Sequence, residues 1–512
     1  MKQLKETLCL TASAALLVLP YHFPDLWFLV FFGFLPYFLA VSGKSPSESF
    51  KSSYFIGFLF FAGIGYWLAL VNVAGFVLLA AYLAIYFGAF GYFASAFIGS
   101  RDLKSVVYAS AVWVALEYVR GWLIGGLPWA LMSYSQWKNV YFIQAADWVG
   151  AFGVSFLILL VNLSFFRVLV SKKRISCTVL LLAAVLLPYI YGAVTLQRMD
   201  AAEARARSSN ERRLRISVVQ GNIPQDQKWN AKIKSIIFEK YKRLTFMAAI
   251  EKADLIIWPE TSFPGYLEDE PVMAARLRSM IRQTKADVLV GAPTMGNLDE
   301  GLKFFNSAVL YGVGGEEKKR YHKVHLVPFG EYIPFEPLLG ALRKFVEIGH
   351  FSAGDERTIF VAESHHQPSP VKARFAVLIC FEDIFPGLVR DFSSRGVDFL
   401  VNITNDAWFG KTAAPYQHAA ASVFRAVENR VPVIRAANTG LSCVISPEGR
   451  ILTSVKDQGE EIFVTGQVSH ELVLRKTQSF YTRFGDLFFI LTLLLCYLAY
   501  RERKKQSGYA QL

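Results

Sequence analysis

Three polar side chains in this 512-residue chain sit close to short apolar runs, and their types suit attack on a carbonyl. Leu255-Ile256-Ile257-Trp258-Pro259 leads into Glu260, and Phe375-Ala376-Val377-Leu378-Ile379 leads into Cys380. Lys323 lies in Lys319-Arg320-Tyr321-His322-Lys323-Val324-His325. A cysteine reacts as its thiolate, so it needs a proton acceptor and gains from a nearby cation. Glu260 could take that proton and later return it to the leaving group. Lys323 could stabilise both the thiolate and the oxyanion of a tetrahedral intermediate. The product would be a thioester, from which a second nucleophile receives the acyl group. Each residue alone has a plainer role: a packed core thiol, a helix-start carboxylate or a solvated lysine. Only together do they point to catalysis.

The elements around them must bring them together. From Leu214, short β-branched runs alternate with amphipathic stretches. Strands are predicted at 215–220, 254–258, 287–290, 307–311, 375–379, 397–402, 432–435 and 462–464. A helix is predicted after the first strand with Ile233, Ile236, Ile237, Leu244 and Met247 on one side, and another over 273–284. This order predicts mixed α/β sheets covered by helices. Polar groups beyond the strand ends of such sheets can converge on one site.

The flanks are different. Apolar runs at 7–22, 25–42, 54–71, 73–98, 105–124, 150–168, 176–196 and 485–500 approach the ~20 residues that a membrane span needs. The first follows Lys2 and Lys5 like a signal peptide. It lacks a small-residue cleavage site and another span follows at once, so it reads as a retained helix. The expected organisation is a membrane bundle over 1–200 with about seven spans, a catalytic domain over 212–470 and a last span over 484–501. Lys2, Lys5, Lys44, Lys51, Arg101, Lys104, Arg167, Lys172, Lys173, Arg174 and the tail Arg501–Lys505 fall on one side of this scheme. They place both termini in the cytoplasm and the catalytic domain outside. The segment Trp122–Trp148, rich in Trp, Tyr, Gly and Pro, reads as an interfacial belt, with part of a lipid-substrate entrance as the alternative, and Glu117 and Arg120 read as a structural or snorkelling pair.

The net charge of +13 does not indicate nucleic acid, because its basic clusters lie beside apolar runs and form no aromatic-interleaved face. The 5 cysteines have neither disulfide nor zinc spacing. His322 and His325 lack a ligand-like partner set, so no metal is expected, and no cofactor either. His365-His366 reads as a surface pair.

Trp258-Pro259-Glu260, the Lys323 segment through Glu331, and Cys380-Phe381-Glu382 resemble the nitrilase (carbon-nitrogen hydrolase) superfamily across about 214–468. The resemblance implies an αββα sandwich with Glu260, Lys323 and Cys380 as base, cation and nucleophile. With the membrane bundle, the whole chain resembles the bacterial apolipoprotein N-acyltransferases. Further matching stretches are Gln220–Gln225, Lys228-Trp229, Val327–Tyr332 and Asn402–Gly410. That family moves an acyl chain from a phospholipid, commonly phosphatidylethanolamine, through a cysteine thioester to the α-amino group of a diacylglyceryl-cysteine lipoprotein at the bacterial inner membrane. The resemblance gives Trp229, Asn306, Glu331 and Glu382 supporting places. It puts Phe381, which carries no hydroxyl, where the family often has Tyr. The stretch Asn405–Gly410 reads either as a polar turn with a buried Trp or as one whose Trp408 gates or contacts the lipid. Two other readings compete. An anchored amidase would need only one span. A transporter would be expected to carry charges within its spans, and these are nearly absent.

Overall fold

The computed structural model describes residues 1–512 apart from 101, 172–173, 209–210, 299–300, 334–349, 368 and 510–512. Arg101, Lys172 and Lys173, three cations of the orientation scheme, thus lie outside the described residues. The chain forms two compact units, Met1–Arg198 with Arg483–Leu512, and Met199–Thr482.

The first unit is a membrane helical bundle. Among the described residues, Lys2–His22, Pro24–Val41, Val73–Gly99, Ala146–Val170 and Arg174–Ala206 are long and apolar enough to cross a membrane. The other expected spans are also helical, at Pro46–Ile64, Lys104–Arg120 and Leu487–Tyr509. Local signals set these boundaries. Ser45 and Glu48 form a reciprocal capping box before Pro46–Ile64, and Asn72 accepts a 2.7 Å bond from Gly75 N at the start of Val73–Gly99. These two helices approach closely where Gly91 faces Ser53; a Cβ there would lie 1.9 Å from Ser53 Oγ. Glu117 and Arg120 brace the aromatic segment. Glu117 accepts from Met132 N at 2.8 Å, and Arg120 donates to the carbonyls of Leu127 and Trp129.

The second unit is a nitrilase-like αββα sandwich. Its strands are β1 (Arg213–Gln220), β2 (Leu255–Ile257), β3 (Asp287–Leu298), β4 (Gly301–Tyr311), β5 (Glu317–His322), β6 (Ile359–Glu363), β7 (Lys372–Ile379), β8 (Phe399–Thr404), β9 (Val433–Ala437), β10 (Cys443–Ile445), β11 (Ile451–Ser454) and β12 (Gly466–Val473). They form two six-stranded sheets, ordered β12-β1-β2-β3-β4-β5 and β11-β10-β9-β8-β7-β6. β1 and β4 meet β9 and β7 across the sheet interface. Helices Lys234–Ile250 and Pro271–Thr284 cover the first sheet, and Pro386–Ser394 and Ala414–Asn429 the second. β1, β2 and β3 are parallel, as are β7, β8 and β9. Buried on both faces, the central strands read as continuous apolar runs.

Two expectations are corrected. Residues 462–464 form no strand, and 462–463 make a bend. Phe463 takes φ 55° as its N–H donates to Thr439 O at 2.7 Å, and the strand begins only at Gly466. The helix Lys234–Ile250 buries Ile237, Phe238, Tyr241, Leu244, Thr245 and Ala248. Ile236 and Met247 are exposed, because the aromatic Phe238 and Tyr241 define the packed stripe and rotate the face away from them.

Candidate active site

The site begins at the ends of the strands. β2 runs straight into Trp258, whose indole N–H donates to Thr245 Oγ1 at 2.9 Å and whose ring stacks on Tyr241. Pro259 then turns the chain, and Glu260 follows with its side chain 8% exposed. This turn lies against Gly291 of β3. A Cβ there would sit 2.1 Å from Pro259 O and 2.8 Å from Glu260 Cα, so only glycine lets the two segments pass.

β4 and β5 supply the next pair. Their register sets Ser307 opposite His322, and Lys323 N donates to Asn306 O at 2.8 Å. Asn306 Nδ2 donates to Glu260 Oε1 at 2.7 Å and to Glu331 Oε1 at 3.1 Å. Lys323 Nζ lies 2.8 Å from Glu331 Oε2 and 3.9 Å from Glu260 Oε1. Glu331 also accepts from Val327 N at 2.9 Å. One buried cluster therefore holds Glu260, Asn306, Lys323 and Glu331. Burial works against the Lys323 charge, but the carboxylates of Glu331 and Glu260 outweigh it and hold this lysine above the ordinary range, permanently cationic.

Cys380 comes from the facing sheet. It follows Ile379, the last residue of β7, in a left-handed conformation with φ 52°, the sharp-turn geometry that singles out a strained residue. The thiol is partly buried. Burial and the Glu260 charge push its pKa up, against the pull of Lys323. Cys380 therefore rests as a thiol and needs a base at the moment of attack.

Glu382 lies beneath this turn and ties the two sheets together. Its carboxylate accepts from Ile379 N (2.7 Å), Val324 N (2.8 Å), His325 N (3.0 Å) and Tyr321 OH (2.9 Å). It thus fixes the segment after Lys323 and the residue before Cys380 with one side chain. Burial pushes its pKa up to about 7, a rise limited by those backbone donors and by Lys323.

Not every sequence-selected residue enters the cluster. Phe381 packs its ring 5.6 Å from Phe385. Trp229 and Trp408 are 47% and 51% exposed, the latter in the short turn Asp406–Phe409. Trp229's neighbour Lys228 is buried instead, donating to Glu260 O at 3.0 Å.

A further group joins Asn402 and Asp406, of a stretch matched in the sequence, to Asp383, His418 and Arg435, which the sequence did not single out. Asn402 Nδ2 donates to Cys380 O at 2.9 Å. His418 lies between Asp383 and Asp406, with Nε2 2.9 Å from Asp383 Oδ1, Nδ1 3.0 Å from Asp406 Oδ1 and Nε2 3.3 Å from Cys380 O. Arg435 Nη1 donates to Asp383 Oδ2 at 2.9 Å and to Asn402 Oδ1 at 3.1 Å. Burial opposes the imidazolium, yet the two aspartates raise His418 to about 9. His365, expected at the surface, is half-buried, with its N–H donating to Asp254 Oδ1 at 2.7 Å. Among the described residues no set of three or more His, Cys, Asp or Glu could hold a metal ion.

A carbon-nitrogen hydrolase family model matches residues 215–474, and an apolipoprotein N-acyltransferase N-terminal domain model matches residues 13–164. The chain is similar to the apolipoprotein N-acyltransferase of Geobacter metallireducens, at 36% identity over 94% of this chain and 92% of that protein. It is similar to that of Rickettsia prowazekii at 30% identity over 88% of each, and to that of Vibrio vulnificus at 29% over 99% of each. Among solved structures, an amidase from Nesterenkonia sp. gives a TM-score of 0.38 at 20% identity, covering 56% of this chain and 99% of that one. The chain belongs to the apolipoprotein N-acyltransferase family, with a carbon-nitrogen hydrolase domain as its α/β unit.

Proposed function

We propose that this chain is a membrane acyltransferase that moves a fatty acyl group from a phospholipid, phosphatidylethanolamine being the expected donor, to the α-amino group of a diacylglyceryl-cysteine lipoprotein. The observation that supports this most is the placement of Cys380, at a strained strand end, within the fields of Glu260 and Lys323, in a chain similar along its length to enzymes of that name.

In the first half-reaction Glu260 takes the Cys380 proton as sulfur adds to an ester carbonyl of the donor. Lys323 stabilises the oxyanion. The intermediate collapses to a Cys380 thioester, and the departing lysophospholipid alkoxide takes the proton from Glu260. In the second half-reaction the neutral amine adds to the thioester. Glu260 accepts the amine proton and returns it to the leaving sulfur. Asn306 and Glu331 hold Glu260 and Lys323 in register, and Glu382 holds the two strand ends. The exposed rings of Trp229 and Trp408, with Phe381 beside the nucleophile, suit contact with acyl chains.

The loop charges favour a periplasmic catalytic unit with both termini cytoplasmic, in an inner membrane crossed by about eight spans. A reporter fused after Leu512 should then give a cytoplasmic signal, and an outward one overturns this topology. For the chemistry, purified protein is incubated with labelled phosphatidylethanolamine, and Cys380 is examined by mass spectrometry for an acyl adduct. No adduct, with Cys380→Ala fully active, rejects the mechanism. Release of the acyl group to water as readily as to a lipoprotein amine makes the chain a hydrolase.

A further inference from the structure

Lys228 is a second lysine at this site. It follows β1, at the end of the stretch Pro224–Gln227, and is 5% exposed. Among the described residues its ammonium has one hydrogen-bond partner, the carbonyl of Glu260 at 3.0 Å. No carboxylate among the described residues forms an ion pair with it, whereas Lys323 has Glu331 at 2.8 Å. An ammonium carries three donors, so two remain uncommitted. Buried lysines are normally paired, because an unpaired cation in a protein interior lowers stability. A site that keeps one without a counter-ion gains something else from it.

That gain is readable from its surroundings. The Lys228 ammonium is held on the backbone of Glu260 at 3.0 Å, where its charge is drawn to the Glu260 carboxylate and to the Cys380 sulfur. Lys323 shares its charge with two carboxylates, Glu331 at 2.8 Å and Glu260 at 3.9 Å, as well as with the sulfur. When sulfur loses its proton to Glu260, that carboxylate becomes neutral and the negative charge moves to Cys380. A cation anchored on the backbone of Glu260, free of any carboxylate of its own, then gains attraction to the sulfur.

We infer that the Lys228 ammonium, held on the Glu260 backbone, stabilises the Cys380 thiolate through its charge, and that it is retained at this position at a cost in stability. The inference adds a residue to the mechanism proposed above and rests on Cys380 being its nucleophile. Its resting state fits: burial lowers the Lys228 pKa to about 8, so near neutral pH it remains mostly charged with little to spare.

The test needs no lipid substrate, so its failure is distinguishable from failure of the acyl-transfer reading. The full-length protein in detergent is alkylated with iodoacetamide across pH 6–11, and modification of Cys380 is followed by mass spectrometry, with Cys380→Ala as the blank for the other cysteines. In Lys228→Met the pH midpoint for Cys380 alkylation should rise by about one unit, the scale expected of one nearby charge. The variant's Tm should equal or exceed that of the unsubstituted chain. An unchanged midpoint overturns the proposal, whatever happens to Tm. If Lys228→Met does not fold, Lys228→Gln, which keeps a donor for the Glu260 carbonyl but carries no charge, supplies the same readout.

Discussion

Gly291→Ala tests how closely the reaction depends on the position of Glu260. The added methyl would lie 2.1 Å from Pro259 O, where real Cβ contacts are essentially never under 3.0 Å. The obstacle is backbone, so no side-chain rotation relieves it. The Pro259–Glu260 peptide must retreat by about 1 Å, and a displacement of that size can cost on the order of 100-fold in rate, or ~2.7 kcal/mol in the barrier. Overpacking adds a stability cost of about 1–3 kcal/mol. The assay is single-turnover acylation of Cys380 from labelled phospholipid, beside a thermal melt in detergent. Gly387→Ala is the control, since a Cβ there meets nothing within 4 Å. The expected result is a slow Gly291→Ala variant with a lowered Tm and an unaffected control. Acylation within threefold of the unsubstituted chain would refute the claim that this contact sets the base.

Glu331→Gln keeps an acceptor for Val327 N but leaves Lys323 with only the Glu260 carboxylate, 3.9 Å away. Acylation should slow by about 10²-fold with little change in apparent donor affinity; a change in affinity alone would make Glu331 a binding residue. His418, raised to about 9, should stabilise the fold fully below its unfolded value near 6.5 and lose that contribution as pH rises through 9. The loss corresponds to about 3 kcal/mol. Melts from pH 6.5 to 9.5 should show this slope, flattened in His418→Gln, and parallel profiles for the two proteins would reject it. Asn306→Ala removes the amide between Glu260 and Glu331 and should lower the acylation rate more than the Tm; equal losses would mark Asn306 as merely structural.

The parts legible in sequence were those where one chemical type follows one pattern. Apolar runs fully buried in the parallel cores of both sheets are continuous, and a Glu or Cys at their ends stands out against them. Lys323 was found only through its neighbours, since a basic run looks the same whether solvated or folded inward. The second layer was hidden for a physical reason. His418 lies on Ala414–Asn429, a helix buried almost all round, so no polar face marks its orientation. Arg435 sits mid-strand in β9 with 0% exposure, where pattern predicts an apolar residue. Asp406 lay within a recognised stretch, but its partner 12 residues on is joined to it only by the turn between them. Ile236 and Met247 misled because hydrophobicity alone does not say which of two apolar stripes packs.

The charges beneath Cys380 have a consequence for how such a chain can change over generations. Asp383, Asp406, His418 and Arg435 are all buried, two acids against two bases, linked to one another and to Cys380. Replacing any one strands an opposite charge in the interior, a penalty of the order of a domain's margin of stability. Single steps at these positions are therefore nearly closed, and drift must proceed by paired exchange or stop. The four residues behave as one unit, which a single substitution breaks and only a paired exchange preserves.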